Sequence, residues 1–517
     1  MSGVTIHANM CKYCLGFLLL AGVLCPADKV LPLRWVYISR PLRSDQELED
    51  IGRLARTASE NGLNGVVFAA GLDSIDLQPP DYPARLQKVK EIFDRYHLEM
   101  IPSIFSAGYG GSILAHDKNL AEGLPVKNAL YVAKKGEARI QPEIPVDNGG
   151  PAVEGVWTRE VDVRPYRCYR VTFRAKTEGL TATRSFSTGP FRLDVRTEDL
   201  RNLTPWNAHV PPTTDWREVS WGFNSLWYDR VKISIGTPHA GPGKAWVDRV
   251  RVEEVGLLNV LRRPGTPITV RSDSGETVYE EGRDYGRIED SGLNFRFDHE
   301  GPAIRILPGS RIKNGERLRV SYYHGFSVND GQTTICMGEP KTYEIWRDIA
   351  RRMHAAVAPP RYVLSMDEIR EGGTCEACRG RGMARLLGEC LTKQFQMLRE
   401  VNPKVDVWVW SDMLDPHHNA HGNYYLVDGD YNGSWRYIPK EMGIVTWYYQ
   451  RRAQSLPFFS NLGFRTLGGA YYDADTLENP RGWLEELSRT PNAQGIMYTT
   501  WLNKYELLAD FGKLVSR

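Results

Sequence analysis

The stretch from Tyr362 to Gly372, YVLSMDEIREG, runs from an apolar segment into two adjacent carboxylates, Asp367 and Glu368. Successive side chains of a strand point to opposite faces, so neighbouring acids serve one site only where the strand stops and the backbone turns. We therefore expect the pair at the carboxyl end of a buried strand, where parallel α/β folds collect their chemistry. The alternative is that Asp367 caps the next helix and Glu368 is a solvated loop acid.

Four later apolar runs also end on aromatic and polar residues. These endings are Trp410-Ser411-Asp412, Trp447, Tyr471-Tyr472-Asp473 and Trp501-Leu502-Asn503. Glycoside cleavage requires an acid for the leaving oxygen, a group that stabilises positive charge at the anomeric carbon, and ring faces that hold the sugar. A single tryptophan in such a place is more often a core residue. All the endings together favour an aromatic pocket with several carboxylates.

The elements that must position these residues alternate short apolar runs with amphipathic segments, the βα rhythm of a parallel sheet. The predicted strands are 35–39, 65–70, 99–106, 362–366, 406–412, 443–449, 465–473 and 495–501. The predicted helices lie near 45–61, 82–96, 341–357, 380–401, 451–462 and 481–489. Eight βα units predict a closed (β/α)8 TIM barrel, interrupted once after its third strand. An open doubly wound sheet is the alternative, but no glycine-rich phosphate loop follows the first strand.

The interruption runs from about residue 126 to about residue 326 and lacks helical periodicity. Its apolar and polar residues alternate, which indicates antiparallel strands with one wet face. We therefore expect an α/β chain with a signal peptide, two barrel parts, a β-sandwich and a small β-rich domain. The signal peptide is predicted at 1–27 and the two barrel parts at 33–125 and 331–517. The β-sandwich is predicted at 126–256 and the small β-rich domain at 257–330.

Length and composition limit the number of domains and the classes of partner. A chain of 517 residues is too long for one compact core. Lys and Arg number 65 against 63 Asp and Glu, and the net charge of +2 gives no support for a nucleic-acid partner. The 14 tryptophans and 25 tyrosines supply flat rings that suit sugar faces. The oligomeric state is not indicated.

The first 27 residues have the pattern of an export signal. Lys12 precedes an apolar run from Leu15 to Leu24 that is too short to span a membrane, and Ala27 suits a cleavage site. We therefore expect an exported protein, secreted or periplasmic, with no membrane segment after signal cleavage.

The cysteines give no disulfide framework, because three of the eight leave with the signal and five remain. Cys375 and Cys378 could bind zinc if Cys390 and a distant histidine joined them, or could form a local disulfide. Plain thiols are the favoured interpretation.

The segment 415–421, DPHHNAH, could also suggest a metal site. A loop of this composition more often forms hydrogen bonds at a rim, and His418 or His421 could then contact substrate. No metal and no other cofactor is predicted.

The order of the strand endings resembles that of the family 20 glycoside hydrolases, the β-N-acetylhexosaminidases. In that family Asp-Glu ends the fourth strand, Trp motifs end the fifth and sixth, Tyr-x-Asp ends the seventh and a Trp motif ends the eighth. The corresponding residues look like Asp367-Glu368, Trp410 with Asp412, Trp447, Tyr471-x-Asp473 and Trp501. The segment 106–123 is similar to the family's loop after the third strand, with Tyr109 in place of its histidine. The family's first-strand arginine corresponds to Arg34 or Arg40, and Arg40 lies at the carboxyl end.

The resemblance implies a retaining, exo-acting hydrolase of β-N-acetylhexosaminides. Glu368 would be the general acid and base, and Asp367 would orient the substrate's 2-acetamido group as the internal nucleophile. Tyr471 would hydrogen-bond the carbonyl of that group. The other implied substrate-binding residues are Arg40, Tyr109, Trp410, Asp412, Trp447, Asp473, Trp501 and Asn503. The strands 216–223 and 243–254 resemble the last two strands of jelly-roll carbohydrate-binding modules, although a sandwich that only braces the barrel is an equal alternative.

The departures from the family pattern leave two alternatives open. Ser365-Met366 replaces the family's Gly-Gly, and Asn503 stands where the family has a glutamate. The chain could be a retaining glycosidase for a sugar without an acetamido group, with Asp412 or Asp473 as nucleophile. It could also bind glycan without cutting it, although binding alone does not require an acid pair.

Overall fold

The computed structural model describes residues 30–144, 150–181, 190–204, 210–237, 242–328 and 331–517. The predicted signal peptide, residues 1–27, lies outside these ranges, and export stays a prediction. Within the described ranges, no helix combines the length and the apolar character that a membrane crossing requires.

Eight parallel strands form a closed barrel, and we number them as barrel strands 1 to 8. They are Leu33–Ser39, Gly65–Ala69, Glu99–Ile104, Arg361–Leu364, Asp406–Trp410, Gly443–Thr446, Arg465–Tyr471 and Ala493–Thr499. Strand 3 pairs with strand 4 across the interruption, with Ser103 opposite Val363, and strand 1 pairs with strand 8. The predicted barrel is thus confirmed, and the open sheet is excluded.

The α-helices of the described chain belong to the barrel parts. They are Asp45–Glu60, Tyr82–Arg95, Gly111–His116, Pro340–Val357, Met383–Val401, Arg452–Asn461, Glu478–Arg489 and Leu508–Val515. Ser44 begins the first helix by a capping box with Glu47, and apolar side chains from Leu48 to Ala58 form its buried face. The third and last helices were not predicted, because six and eight residues give too little periodicity.

Large rings fill the barrel interior. Trp35 of strand 1 meets Trp408 of strand 5 edge to face, with ring centroids 5.5 Å apart. A Cβ atom at Gly65 would lie 2.7 Å from the Trp35 ring, and one at Gly443 would lie 2.2 Å from the Trp408 ring. Glycine at these two strand positions therefore makes room for the tryptophans.

The interruption contains three antiparallel sheets in the described residues, and two of them form the sandwich segment. One of these two sheets has the strand order Thr214–Asn224, Cys168–Glu178, Lys244–Glu254 and Val153–Glu154. The other has the order Val156–Asp162, Arg230–Gly236 and Arg192–Arg196. The alternating burial along these strands agrees with the one wet face expected from the sequence.

The third sheet has six strands and is built from both sides of the sandwich segment. Its order is Val278–Tyr279, Thr269–Ser272, Arg317–His324, Leu124–Lys134, Glu137–Ile140 and Ile304–Arg305. The sequence division placed residues 126–140 with the sandwich, but they pair with 304–324 instead. The sandwich is therefore nested inside the small β-rich unit. Alternation in the sequence reveals a strand but not its distant partner, which explains this difference.

Candidate active site

The acid pair lies just beyond barrel strand 4, which ends at Leu364. Glu368 has a φ of 49°, in the left-handed region that residues other than glycine rarely adopt. Its backbone N–H donates a 2.8 Å hydrogen bond to Oδ2 of Asp412, which follows strand 5. The backbone turn that the sequence required is therefore present, and a third carboxylate holds it.

The loop after strand 3 packs directly against the acid pair. A Cβ atom at Gly108 would lie 2.2 Å from the backbone oxygen of Asp367 and 2.8 Å from that of Glu368. Only glycine permits this approach, which brings the next residue, Tyr109, to the site. The Tyr109 hydroxyl donates a hydrogen bond to Oε2 of Glu368.

Two further polar residues fix Glu368. The guanidinium of Arg370 forms a 2.9 Å ion pair with Glu368 Oε2 and also donates to the side-chain oxygen of Gln332. Gln332 in turn donates a 2.8 Å hydrogen bond to the backbone oxygen of Glu368. Arg370 is buried and lies over the Tyr425 ring, 5.2 Å from its centroid. Both the backbone and the side chain of Glu368 are thus held in place.

The carboxyl groups of Asp367 and Asp412 hold protons more strongly than exposed aspartates do. Burial raises the pKa of Asp367 well above its usual range, and the nearby charges of Asp412 and Glu368 add to this. Burial raises the pKa of Asp412 to about 6, and the hydrogen bond from the Glu368 N–H opposes part of the rise. Asp412 also accepts hydrogen bonds from Asn419 at 3.0 Å and from the Trp447 indole at 3.4 Å.

Five aromatic rings surround the acids at the barrel mouth. Tyr472 stacks on Trp447 with centroids 5.6 Å apart and meets Trp501 edge-on at 6.2 Å. Trp501 lies 5.2 Å from Tyr37 and 6.0 Å from Trp410. Trp501 is 40% exposed, whereas Trp410 is only 3% exposed. The rings form one continuous wall, and Trp501 is the most exposed of the five.

Tyr471 and its neighbour Tyr472 lie in different surroundings at the end of strand 7, and a substrate role for either residue stays a prediction. Tyr471 is buried in the core and stacks on Tyr498, with centroids 4.0 Å apart. Tyr472 instead faces the acids, and burial together with the charge of Glu368 raises its pKa above the usual range. The three residues 471–473 have φ values of 77°, 52° and 58°, so the alternation that assigned faces along the strand stops at its end.

Asp473 supports the loop after strand 8. Its carboxylate accepts hydrogen bonds from the backbone N–H of Trp501 at 2.9 Å, the backbone N–H of Leu502 at 3.2 Å and the Thr500 hydroxyl. Both oxygens are therefore used within the protein. These contacts hold the start of the loop that carries Trp501, and a substrate contact by Asp473 stays a prediction.

Arg40 and Asn503 meet at the rim, where the Arg40 guanidinium donates to the Asn503 side-chain oxygen. Arg34, the other candidate for a first-strand arginine, donates to the backbone oxygens of Leu31 and Gly62 at the amino end of the barrel. This geometry separates the two arginines and leaves Arg40 at the carboxyl end. A substrate contact by Arg40 or Asn503 stays a prediction.

His418 lies behind the aromatic wall. Its ring meets Trp447 edge to face at 4.6 Å and stacks on Tyr448 at 4.4 Å. Burial lowers its pKa to about 4, so the ring is neutral near pH 7. His418 thus supports Trp447, and His421 bonds locally to the Gly422 backbone oxygen.

Sequence reasoning missed several residues that the structure brings to the acids. These are Tyr37, Gln332, Arg370, Tyr424 and Tyr472. Arg370 and Tyr472 are close in sequence to predicted site residues, and Tyr37 lies on barrel strand 1, so strand-end reasoning could have found them. Gln332 comes from the segment that returns from the interruption, and no sequence signal marks it.

The sandwich contacts the barrel loop next to the site. Arg201 donates hydrogen bonds to the backbone oxygens of Tyr425 at 2.7 Å and Val427 at 2.8 Å. The short strand Leu426–Val427 pairs with Glu371–Gly372, which follows the acid pair. These contacts give the sandwich a bracing role at the loop that carries Tyr425.

No protein-family model matches the chain, and no curated protein matches it. Among solved structures, a family 20 β-N-acetylglucosaminidase is 8% identical, with a TM-score of 0.36, over 93% of this chain and 68% of that one. A rhamnosidase from Novosphingobium sp. PP1Y is 10% identical, with a TM-score of 0.33, over 95% of this chain and 60% of that one. A CBM4 structure is 16% identical, with a TM-score of 0.16, over 27% of this chain and 83% of that one. This chain thus spans less than two thirds of the rhamnosidase, and its function must be argued from the site.

The raised pKa of Asp412 predicts a pH-dependent stability. Between about pH 4 and pH 6 the folded chain keeps a proton that the unfolded chain releases, so this contribution to stability is lost as the pH rises through about 6. The unfolding free energy of the parent minus that of Asp412→Asn should therefore fall by about 1 to 3 kcal/mol from pH 4 to pH 7. Urea unfolding measures this difference. Asp428→Asn, at an exposed loop position, is the control, and a flat or rising difference for Asp412→Asn would contradict the assignment.

Proposed function

We propose that this protein is a glycoside hydrolase. One observation carries the proposal: three carboxyl groups, those of Asp367, Glu368 and Asp412, lie together beside a wall of five aromatic rings at the carboxyl end of a closed barrel. A proton donor, a second polar group and ring faces are what glycosidic cleavage needs. A protein that only binds glycan has no use for a buried carboxyl cluster held by dedicated donors.

We assign Glu368 as the general acid and base. Its side chain remains 22% exposed at the mouth, whereas Asp412 is fully buried. Tyr109, Arg370 and the backbone contact with Asp412 hold it in one orientation. Such orientation is what a group that transfers a proton to a bound leaving oxygen requires.

The finer proposal is a substrate-assisted reaction on β-N-acetylhexosaminides, with retention and release of terminal sugars. The acetamido oxygen would attack the anomeric carbon while the leaving oxygen takes a proton from Glu368. Water would then open the cyclic intermediate as Glu368 takes a proton back. Asp367, whose pKa burial raises, would hydrogen-bond the acetamido N–H. The family resemblance of the strand endings supports this order.

The engagement of the other carboxylates disfavours direct attack by the protein. Asp412 accepts hydrogen bonds on both oxygens, from Glu368, Asn419 and Trp447. Asp473 is likewise occupied by the loop after strand 8. The two carboxylates that could have served as the nucleophile for a sugar without an acetamido group thus hold protein groups instead.

Paired aryl β-glycosides test both levels of the proposal. We expect release of 4-nitrophenol from 2-acetamido-2-deoxy glycosides and at least tenfold less from the matched 2-hydroxy sugars, since only the former carries the internal nucleophile. A thiazoline analogue of the cyclic intermediate should inhibit strongly. Cleavage of the 2-hydroxy sugars without thiazoline inhibition would overturn the substrate-assisted route but leave a glycosidase. Glycan binding with no cleavage of any aryl glycoside would overturn the assignment of the protein as an enzyme.

A further inference from the structure

Three cysteines and a glutamate from distant parts of the chain form one buried cluster. Cys336 Sγ lies 3.4 Å from Cys375 Sγ and 3.4 Å from Cys378 Sγ. Cys378 Sγ lies 3.4 Å from Oε2 of Glu122, and the four ligand atoms all lie within 4.8 Å of one another. Each of the four residues is buried. Cys390, the third ligand considered from the sequence, is not part of this group.

The spacing of the four atoms suits a tetrahedral ion. Ligands about 2.3 Å from zinc lie about 3.8 Å from each other in a tetrahedron. The sulfur separations of 3.4 Å are a few tenths of an ångström below that value and well above a covalent sulfur bond, so a small outward shift would admit an ion. Three thiolates and one carboxylate are ligands that zinc accepts in closed structural sites.

Glu122 is oriented as a metal ligand would be. Its Oε1 accepts hydrogen bonds from the backbone N–H groups of Thr374 at 3.2 Å and Cys375 at 3.1 Å, and the Thr374 hydroxyl, shared with the Gly123 backbone oxygen, lies 3.1 Å away. This leaves Oε2 directed at Cys378 Sγ. Hydrogen bonds to one oxygen that aim the other are the usual support of a coordinating carboxylate.

A buried cation already lies beside the cluster. The guanidinium of Arg263 donates to the backbone oxygens of Asn119 and Ala121, just before Glu122, and pairs with Glu339 at 3.1 Å, just after Cys336. Three thiolates and a carboxylate exceed the charge of one divalent ion by two units. Arg263 lies near these charges, and because it also pairs with Glu339, it offsets only part of the excess.

We propose that Glu122, Cys336, Cys375 and Cys378 bind one structural zinc ion. Glu122 precedes the strand Leu124–Lys134 that enters the interruption, and Cys336 lies on the segment that returns from it. Cys375 and Cys378 belong to the loop that follows Glu368. The ion therefore joins both ends of the interruption to the loop that carries the acid pair.

The metal content of the purified full chain tests the proposal. We expect mass spectrometry to find about one zinc per chain in the purified protein. If the purified protein is empty, about one zinc should bind after zinc chloride is added to chelator-treated, reduced protein. Cobalt(II) added instead should give the thiolate charge-transfer and visible bands of a tetrahedral site. Cys378→Ser and Glu122→Gln should each lower the zinc retained after dialysis against a weak chelator, by about tenfold or more for the cysteine. Cys390→Ser and Cys168→Ser, which alter buried thiols outside the cluster, should retain the ion.

Two results would overturn the proposal. One is that the reduced, folded parent chain takes up neither zinc nor cobalt. This result does not depend on whether a variant folds. The other is a disulfide between Cys336 and Cys375 or Cys378 that persists in the folded protein when it is incubated with a mild thiol reductant and zinc. A metal-loaded chain whose melting temperature falls on chelation would support the structural role.

Discussion

Replacing Glu368 by glutamine should lower turnover by on the order of 10² to 10⁴, which is the range for removing a general acid and base. Glutamine has nearly the same shape, but its amide cannot deliver a proton to the leaving oxygen. The loss should be largest for substrates with a poor leaving group and smaller for dinitrophenyl glycosides, which need less protonation. Initial rates with both kinds of substrate, with melting temperatures beside them, measure the effect.

Glu400→Gln is the matched control for this variant. Glu400 also pairs with an arginine, Arg347 at 3.1 Å, but lies on the outer helix Met383–Val401 away from the barrel mouth. It should retain parent activity with both substrates. If Glu368→Gln kept near-parent turnover, or lost the same factor with good and poor leaving groups, Glu368 would not be the general acid.

Trp410 and Trp501 should respond to alanine substitution in opposite ways. Trp410 is almost fully buried between Tyr37 and Trp501, so its removal should lower the unfolding free energy by about 3 to 5 kcal/mol. Trp501 is 40% exposed, so Trp501→Ala should cost far less stability. Its exposed ring is available to the sugar and to the positive charge that develops in the transition state. Turnover of Trp501→Ala should therefore fall, on the order of tenfold.

Urea unfolding and activity per folded molecule, measured on the same preparations, separate the two effects. Trp216→Ala, at a partly exposed tryptophan of the sandwich strand Thr214–Asn224, is a control that should change neither turnover nor affinity for aryl glycosides. A large stability loss in Trp501→Ala with normal activity would return that ring to the core. A stable Trp410→Ala would show that the barrel mouth repacks around the missing ring.

The barrel and the acid pair were predictable from the sequence for a common physical reason. A parallel strand that is buried on both faces appears in the sequence as a short apolar run, and polar or aromatic residues follow where the strand ends. All eight runs correspond to barrel strands, and residues at their carboxyl ends converge on one mouth. Asp367, Glu368 and Asp412 could therefore be brought together without any knowledge of the helices.

The remaining features depend on backbone angles and distant pairing, which local patterns do not encode. Tyr472, and not Tyr471, lies near the acids because three consecutive residues adopt positive φ from the last residue of strand 7 onward. Gln332 and Cys336 reach the loop of the acid pair from the far end of the interruption. The pairing of Leu124–Lys134 with Arg317–His324 places the sandwich inside the small β-rich unit. None of these contacts leaves a signal within a single stretch of sequence.

The six-stranded sheet has a consequence for how the chain folds. Ser103 of barrel strand 3 and Ser365, the residue after strand 4, lie 262 positions apart in sequence, yet their hydroxyl oxygens are 2.7 Å apart. Closing a loop of that length directly is entropically costly, because the cost grows with the logarithm of loop length. Once Leu124 pairs with His324, only roughly sixty residues separate the two barrel halves, a saving of about 1 kcal/mol. Early folding of the inserted unit would therefore speed completion of the barrel.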